Sequence, residues 1–281
     1  MERDATTELL DHFRRAGINA RAGPASLVVI IVAHADDEVL GVGAQLQKLR
    51  RTSFVHVTDG SPINLCDAAR LGFKSRKAYA DARRKELLTA LALAGINPTQ
   101  SQQLGFVDQE ASFHLPQMTL EVMKIIRELR PEAILTHPYE GGHPDHDATA
   151  FAVHAACRLL NKQGTLSPAI IEMAFYHNRG GTMVTSSFLP GGAGAATTIE
   201  LSEPERAFKQ RLMDCHVTQQ MTLKSFSIRI ERFRSAPVYD FTQAPHEGKL
   251  HYELFDWGMT GVPWRELARQ ALITLGLEEC P

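Results

Sequence analysis

The sequence predicts an α/β fold in which a mostly parallel sheet is flanked by helices. Two observations predict it. Apolar runs alternate with helix-period patterns through the first 165 residues, the order expected of strands joined by helical crossovers. Apolar residues make up 44% of the 281, ample for a buried core. Leu27 to Ala33 reads as a strand covered on both faces. Gly43 to Leu49 reads as helix, and Phe54 to Thr58 as a second strand ending at Asp59-Gly60. Residues 80–94 place Leu87, Leu88, Leu91 and Ala94 on one stripe, with Gly95 as C-terminal cap. A third strand follows near Gln103 to Val107.

Met118, Val122, Ile125, Ile126 and Leu129 repeat at helical spacing until Pro131 stops them, and Ala133 to Thr136 is a short apolar strand. A helix from Pro144 carries Ala148, Phe151, Ala152, Ala155 and Leu159 on one face. Ala169 to Tyr176 reads as a strand, and the glycine-rich residues 180–194 read as a long loop, equally a substrate lid or a surface excursion. From Glu203 a helix and irregular segments lead to a last helix near Trp264 to Leu275. No repeat, low-complexity tract or clean boundary interrupts the chain. It is read as one domain over 1–281, with a motif-bearing core over about 25–165 and a C-terminal extension over about 166–281.

Composition narrows the function. A net charge of −2 with 22% charged residues leaves no basic footprint for nucleic acid or an anionic membrane. The longest apolar runs, Leu27 to Ala33 and Leu87 to Ile96, fall short of the roughly 18 residues of a membrane span. Met1-Glu2-Arg3-Asp4 begins no signal sequence, so a soluble cytoplasmic protein is expected, acting on a small molecule; a homo-oligomer stays open. The four cysteines, at 66, 157, 215 and 280, form no CxxC pair and are expected to be buried small hydrophobes.

Histidine marks the chemistry. His34-Ala35-Asp36-Asp37-Glu38 follows the first buried strand and precedes a helix, at the strand end where open parallel sheets bind ligands. Acids in a first helical turn complement the macrodipole, but capping needs neither the histidine nor both aspartates. His143-Pro144-Asp145-His146 stands beyond the strand that ends at Thr136, with Pro144 suited to the first position of a helix. His12, His56, His154, His216 and His251 read as ordinary surface or core residues. Together the clusters offer His and Asp from one strand end and His from another, three ligands that leave room for water, as catalytic zinc sites do. A carboxylate left over would accept the water's proton, and a histidine left over would stabilise an oxyanion. These are the parts of metal-assisted amide hydrolysis.

The first motif, continued by Val39-Leu40-Gly41, resembles the signature of the PIG-L/LmbE-like zinc de-N-acetylases, and His143-Pro144-Asp145-His146 resembles their second signature. Thr58-Asp59-Gly60, Arg83-Arg84-Lys85-Glu86 and Leu104-Gly105-Phe106-Val107-Asp108 continue the likeness over about residues 27–160; Gln219 and the stretch from Phe233 to Tyr239 are weaker matches. The resemblance implies a Rossmann-like fold and removal of an N-acetyl group from an N-acetylglucosamine-type amino sugar or glycoconjugate. It implies that His34, Asp37 and His146 bind Zn2+ or another divalent transition metal, and that Asp36 is the general base. His143 would be the electrophile or general acid, Asp145 its orienting partner, and Asp108 a contact to the substrate. Ala35 stands where the family usually has Pro, and Tyr139 receives no catalytic role.

Two other readings compete. One is an amidase cleaving a mycothiol-like thiol conjugate of an amino sugar, which differs in needing a wider acyl pocket. The other is a non-catalytic nucleotide or sugar binding module, suggested by Gly41-Val42-Gly43, although Leu46 stands where a dinucleotide fingerprint has its third glycine.

Overall fold

The computed structural model describes residues 5–14, 27–49, 51–190 and 195–278. In chain order the elements are α1 (Ala5–Arg14), β1 (Val28–Val32), α2 (Asp37–Val42), β2 (Ser53–Pro62), α3 (Cys66–Arg70), α4 (Arg76–Leu93), β3 (Ser101–Asp108), α5 (Leu115–Leu129), β4 (Ala133–Thr136) and α6 (Pro144–Lys162). There follow β5 (Ala169–Met173), β6 (Tyr176–Arg179), β7 (Thr182–Thr185), β8 (Thr197–Glu200), α7 (Glu203–Asp214), α8 (Gln220–Leu223), β9 (Ile230–Ser235) and α9 (Gly261–Thr274). The main sheet runs β3-β2-β1-β4-β5-β9-β8. Its first five strands are parallel; β9 and β8 add antiparallel. The expected mostly parallel, helix-flanked α/β architecture is therefore the observed one.

The strand order reverses at β1, which pairs with β2 on one side and β4 on the other. The loops leaving β1 and β4 diverge there and open a crevice at the carboxyl edge. Both motifs lie in those two loops. All five β1 residues are buried, with Val29 and Ile31 in the core beneath α5, α6 and α9, and Val28, Ile30 and Val32 in the core beneath α1, α4 and α7. This two-sided burial explains the unbroken apolar run.

Helix ends follow local chemistry. α4 closes in a Schellman turn, with Ile96 N–H on Leu91 O, Gly95 N–H on Ala92 O, and Gly95 at φ 77°. α5 stops at Arg130, held at φ 49° before Pro131. Helix α6 is nearly all buried because it packs on β1 and β4 with one face and against α5 and α9 with others.

Five expectations change. The segment 43–49 is a 3-10 turn, Gly43–Lys48, and the α-helix before it is α2. Strand β2 does not end at Asp59-Gly60 but runs to Pro62; Gly60, at φ 68°, permits an irregularity that keeps β2 beside β3. The strand expected over Ala169–Tyr176 leaves the sheet after Met173, because Phe175 and Tyr176 turn to pack on His137 and His146. The expected loop contains β7, paired to β6 through the two-residue turn Gly180-Gly181 at φ 60° and 86°, the φ > 0 pair that tight hairpins require; its residues 191–194 lie outside the described residues. Of the cysteines expected inside, Cys157 is buried, Cys215 half-buried and Cys66 exposed on α3, while Cys280 lies outside the described residues.

The C-terminal residues anchor the second motif. Trp264 on α9 is fully buried, donates its indole N–H to Pro144 O at 3.2 Å, and stacks on Tyr139. Trp264→Ala should lower unfolding free energy by about 3–5 kcal/mol. Denaturant titration checks this; a loss below about 1 kcal/mol, the scale of a surface change, contradicts the anchoring role.

Candidate active site

His34 leaves β1 and Asp37 opens α2, so both reach the crevice from one strand end. His143 caps α6, and His146 lies in its first turn. The four side chains meet although 112 residues separate His34 from His146. His34 Nδ1 stands 3.3 Å from His146 Nε2 and 3.5 Å from Asp37 Oδ2, and Asp37 Oδ1 stands 3.3 Å from His146 Nε2. One donor atom from each of these three residues falls within 4.8 Å of the others. Two imidazole nitrogens and a carboxylate converging in a buried corner suit a divalent transition metal.

The tautomers follow from the neighbours. His34 Nε2 faces Asp108 Oδ1 at 3.2 Å and Asp145 Oδ2 at 3.4 Å. Ionised carboxylates only accept, so Nε2 carries a proton. Against the lowering effect of burial, Asp108, Asp145 and Asp37 raise this ring well above its ordinary 6.5, and a metal at Nδ1, which faces Asp37 and His146, would take the place of the second proton. Burial alone would raise Asp108, but His34, His143 and Arg83 hold it well below its ordinary range. His143 Nδ1 accepts the backbone N–H of Asp145 at 3.1 Å; its proton therefore sits on Nε2. Burial, reinforced by His34 and His146, lowers the pKa of this ring far below 6.5. His143 is thus a neutral N–H donor. A second group, His34, Asp108, His143 and Asp145, also lies within 4.8 Å, but it is a hydrogen-bonded cluster, since a protonated Nε2 offers a metal no lone pair.

The neighbouring aspartates point apart. Asp36 adopts φ 123°, a conformation costing a non-glycine residue about 1–3 kcal/mol. This turns its carboxylate to Arg83, 3.1 Å away, while Asp37 faces the histidines and accepts the His34 backbone N–H at 2.7 Å. Burial, opposed by Arg83 and reinforced by Asp37, pushes Asp36 up to about 8. Arg83 is buried; it donates to Gly60 O at 2.7 Å and Ala35 O at 2.9 Å, and stands 3.6 Å from Asp108. Gly60 is required there, because a Cβ would come within 2.8 Å of the guanidinium.

All seven residues singled out in the sequence lie in this corner, with one change of contact. Asp145 was expected to orient His143, but only its backbone does. Its carboxylate accepts Gln109 N–H at 2.6 Å and Ala111 N–H at 3.2 Å, and faces His34. Asp108 likewise touches His34 as well as lining the cavity. Tyr139 donates to Gln243 O and belongs to the core.

His137 is a residue that sequence reasoning passed over. Its Nε2 accepts Ala33 N–H at 3.0 Å, and its ring stacks on His146 at 3.9 Å and 14°. Burial, with His146 beside it, lowers its pKa to about 3, so it remains neutral. Its place directly after β4 was the available signal. The cavity measures about 120 Å³ and is also lined by Tyr79, Gln219, Phe226, Trp257 and Tyr176.

The model of the GlcNAc-PI de-N-acetylase family, PIG-L, matches residues 29–157, which contain all seven of those residues. A probable N-acetyl-alpha-D-glucosaminyl L-malate deacetylase 2 of Bacillus subtilis (strain 168) is 33% identical over 157 residues, covering 54% of this chain and 69% of the relative. The chain belongs to the PIG-L family. Solved structures agree in fold. A deacetylase of teicoplanin biosynthesis superposes with a TM-score of 0.57 at 17% identity, over 74% of this chain and 96% of that one. A zinc-inhibited form of teicoplanin deacetylase gives 0.56 at 16%, over 74% and 97%. The N,N'-diacetylchitobiose deacetylase of Pyrococcus horikoshii gives 0.52 at 20%, over 84% and 94%.

In this PIG-L chain both Asp145 oxygens accept a backbone N–H, whereas asparagine has one acceptor and would turn an NH₂ towards the other donor. Asp145→Asn should therefore cost about 1–3 kcal/mol of stability. Chemical denaturation of the metal-free protein measures it, and an unchanged midpoint would show that the lost bond contributes nothing.

Proposed function

We propose that this PIG-L chain is a zinc-dependent hydrolase that removes the N-acetyl group from an N-acetylglucosamine-type amino sugar or glycoconjugate. The observation that carries the proposal is the convergence of His34, Asp37 and His146 within 4.8 Å, with Asp36 and His143 beside them. The B. subtilis relative is named for the same kind of reaction; a structural relative, teicoplanin deacetylase, is described in a form inhibited by zinc, so its site meets the metal, there as an inhibitor.

His34 Nδ1, His146 Nε2 and Asp37 would hold the metal. When bound, zinc supplies a Lewis acid for the amide carbonyl and an acidified water. Asp36 takes a proton from the attacking water as its oxygen bonds to the carbonyl carbon. The neutral His143 gives the developing oxyanion a hydrogen bond from Nε2. The C–N bond then breaks, acetate leaves, and the proton held by Asp36 passes to the amine nitrogen. A carboxyl held near neutrality by burial serves both directions of that transfer. Trp257, 4.7 Å from His143 and stacked on Phe255 at 4.5 Å, gives the sugar a flat apolar wall.

One observation weighs against the nucleotide-binding alternative. Gly41 and Gly43 are buried in packing: a Cβ on Gly41 would meet Met173 Sδ at 2.7 Å, and one on Gly43 the Lys209 side chain at 3.3 Å. Helix packing explains these glycines without a bound phosphate.

Release of free amine from a panel of N-acetylglucosamine derivatives, with zinc present, tests the reading. Chelation should abolish activity and a divalent ion restore it; chelator-resistant turnover with far less than one metal per chain contradicts it. Asp37→Ala should lose zinc and activity together. Asp36→Asn should retain zinc and lose roughly 10²- to 10⁴-fold in kcat. If the two outcomes are exchanged, the roles of the two residues must be exchanged. His143→Ala should keep zinc and lower kcat by roughly 10²- to 10³-fold, and an unchanged kcat removes that residue from the mechanism.

A further inference from the structure

Glu38, the third acid of the first motif, takes no part in the reaction just described. It is fully buried and does not line the cavity. Its Oε2 accepts the backbone N–H of Asp36 at 3.1 Å and stands 3.1 Å from His56 Nε2. A carboxylate only accepts, so His56 is the donor in that pair. His56 comes from β2, where the pairing of Val32 with His56 sets it beside the end of β1. Glu38 Oε1 has no hydrogen-bond partner among the described residues and stands 3.7 Å from Nε2 of His216, a buried ring just beyond α7. A buried carboxylate, fixed from a neighbouring strand, is thus set against the amide of Asp36 as well as its own. Asp36 is the residue at φ 123°.

The torsion φ turns about the N–Cα bond, so a partner on the N–H fixes the peptide plane from which the Asp36 side chain departs. Arg83 holds the other end, at the carboxylate. Without Glu38 the Asp36 backbone is free to relax towards negative φ, which carries the carboxylate off its line. Asp37 would stay in place, because its own anchor is the His34 N–H.

We infer that Glu38 is a positioning residue of the PIG-L site: through the Asp36 backbone N–H it keeps the Asp36 carboxylate directed at the attacking water. This rests on the reading of Asp36 as general base. The acceptor, not the charge, carries the role, so a side chain of the same shape with an acceptor should suffice and one without should not.

The test compares Glu38→Met, Glu38→Gln and Asp36→Asn as zinc-loaded full chains on one N-acetylglucosamine derivative, reading kcat, KM and zinc content. Glu38→Met keeps the volume and removes the acceptor; kcat should fall about 10- to 100-fold, the scale of a small misplacement. KM should stay within about 2-fold and zinc at one per chain, since ground-state binding is untouched. Glu38→Gln, whose amide oxygen still accepts, should recover kcat to within about 3-fold of the parent. A parental kcat in Glu38→Met, a matching loss in Glu38→Gln, or a fall that comes with lost zinc or raised KM overturns the inference, the last pointing to a helix cap only. Should Glu38→Met not fold, the Asp36 amide proton decides in Glu38→Gln. Its resonance, downfield for a bond to a carboxylate, should move upfield, and an unmoved resonance overturns the inference. A parental kcat in Asp36→Asn sinks the general-base reading itself, whereas a fall there beside a parental Glu38→Met sinks only the role of Glu38.

Discussion

Four carboxylates, Asp36, Asp37, Asp108 and Asp145, are buried around one guanidinium, Arg83, and the rest of the site is arranged to support that load. Moving an ion out of water costs several kcal/mol unless it is paired or hydrogen-bonded. Each acid here has its own compensation. Asp37 accepts a backbone N–H from His34, and Asp145 accepts two from the 109–111 turn. Asp36 has Arg83, and Asp108 shares Arg83 and His34. Asp36, pushed up to about 8 by burial, carries little of the charge at neutral pH. The rest is met by Arg83 and by the ring of His34, which, against the lowering effect of burial, the acids around it raise well above its ordinary 6.5. A metal at the three convergent donor atoms would take the place of that ring's second proton.

The same load explains why the backbone is strained at Asp36 and not elsewhere in the motif. Asp36 is the last residue before α2 and Asp37 the first within it. Rotation to φ 123° sends one to Arg83 and leaves the other to the histidines. The glycine at 60 belongs to this solution as well, since the Arg83 guanidinium lies where its Cβ would be. Sequence separation is no obstacle: β1 and β4 are hydrogen-bonded neighbours, so loops distant in the chain share one edge.

Much of this was legible in the sequence because the informative features are local. The unbroken run Val28–Val32 marks a strand buried on both faces, and the motifs follow strand ends by inspection. What was not legible depends on contacts between elements. That Asp145 serves His34 through its carboxylate and His143 through its backbone requires the 109–111 turn to be in place. His56 looked like an alternating strand residue, and only the register between β1 and β2 sets it against Glu38. The break after Met173 likewise follows from packing of Phe175 and Tyr176 on histidines of another segment.

The reacting residues and part of the walls around them come from different stretches of the chain. The residues proposed for the reaction all fall within 29–157, the stretch shared with the family model. The walls around them draw on both parts of the chain: Tyr79 lies within that stretch, whereas Tyr176, Gln219, Phe226 and Trp257 come from later segments. Gln219 reaches back to donate to the Tyr79 hydroxyl at 2.6 Å, and the Trp257 ring lies tilted beside His143. A hydrolytic centre tolerates little change in its donors, because an error of about 1 Å costs roughly two orders of magnitude. Its walls are free of that constraint and decide which sugar and which acyl group fit. Relatives that share the first half of this chain can therefore keep one amide chemistry while differing in the molecule they accept.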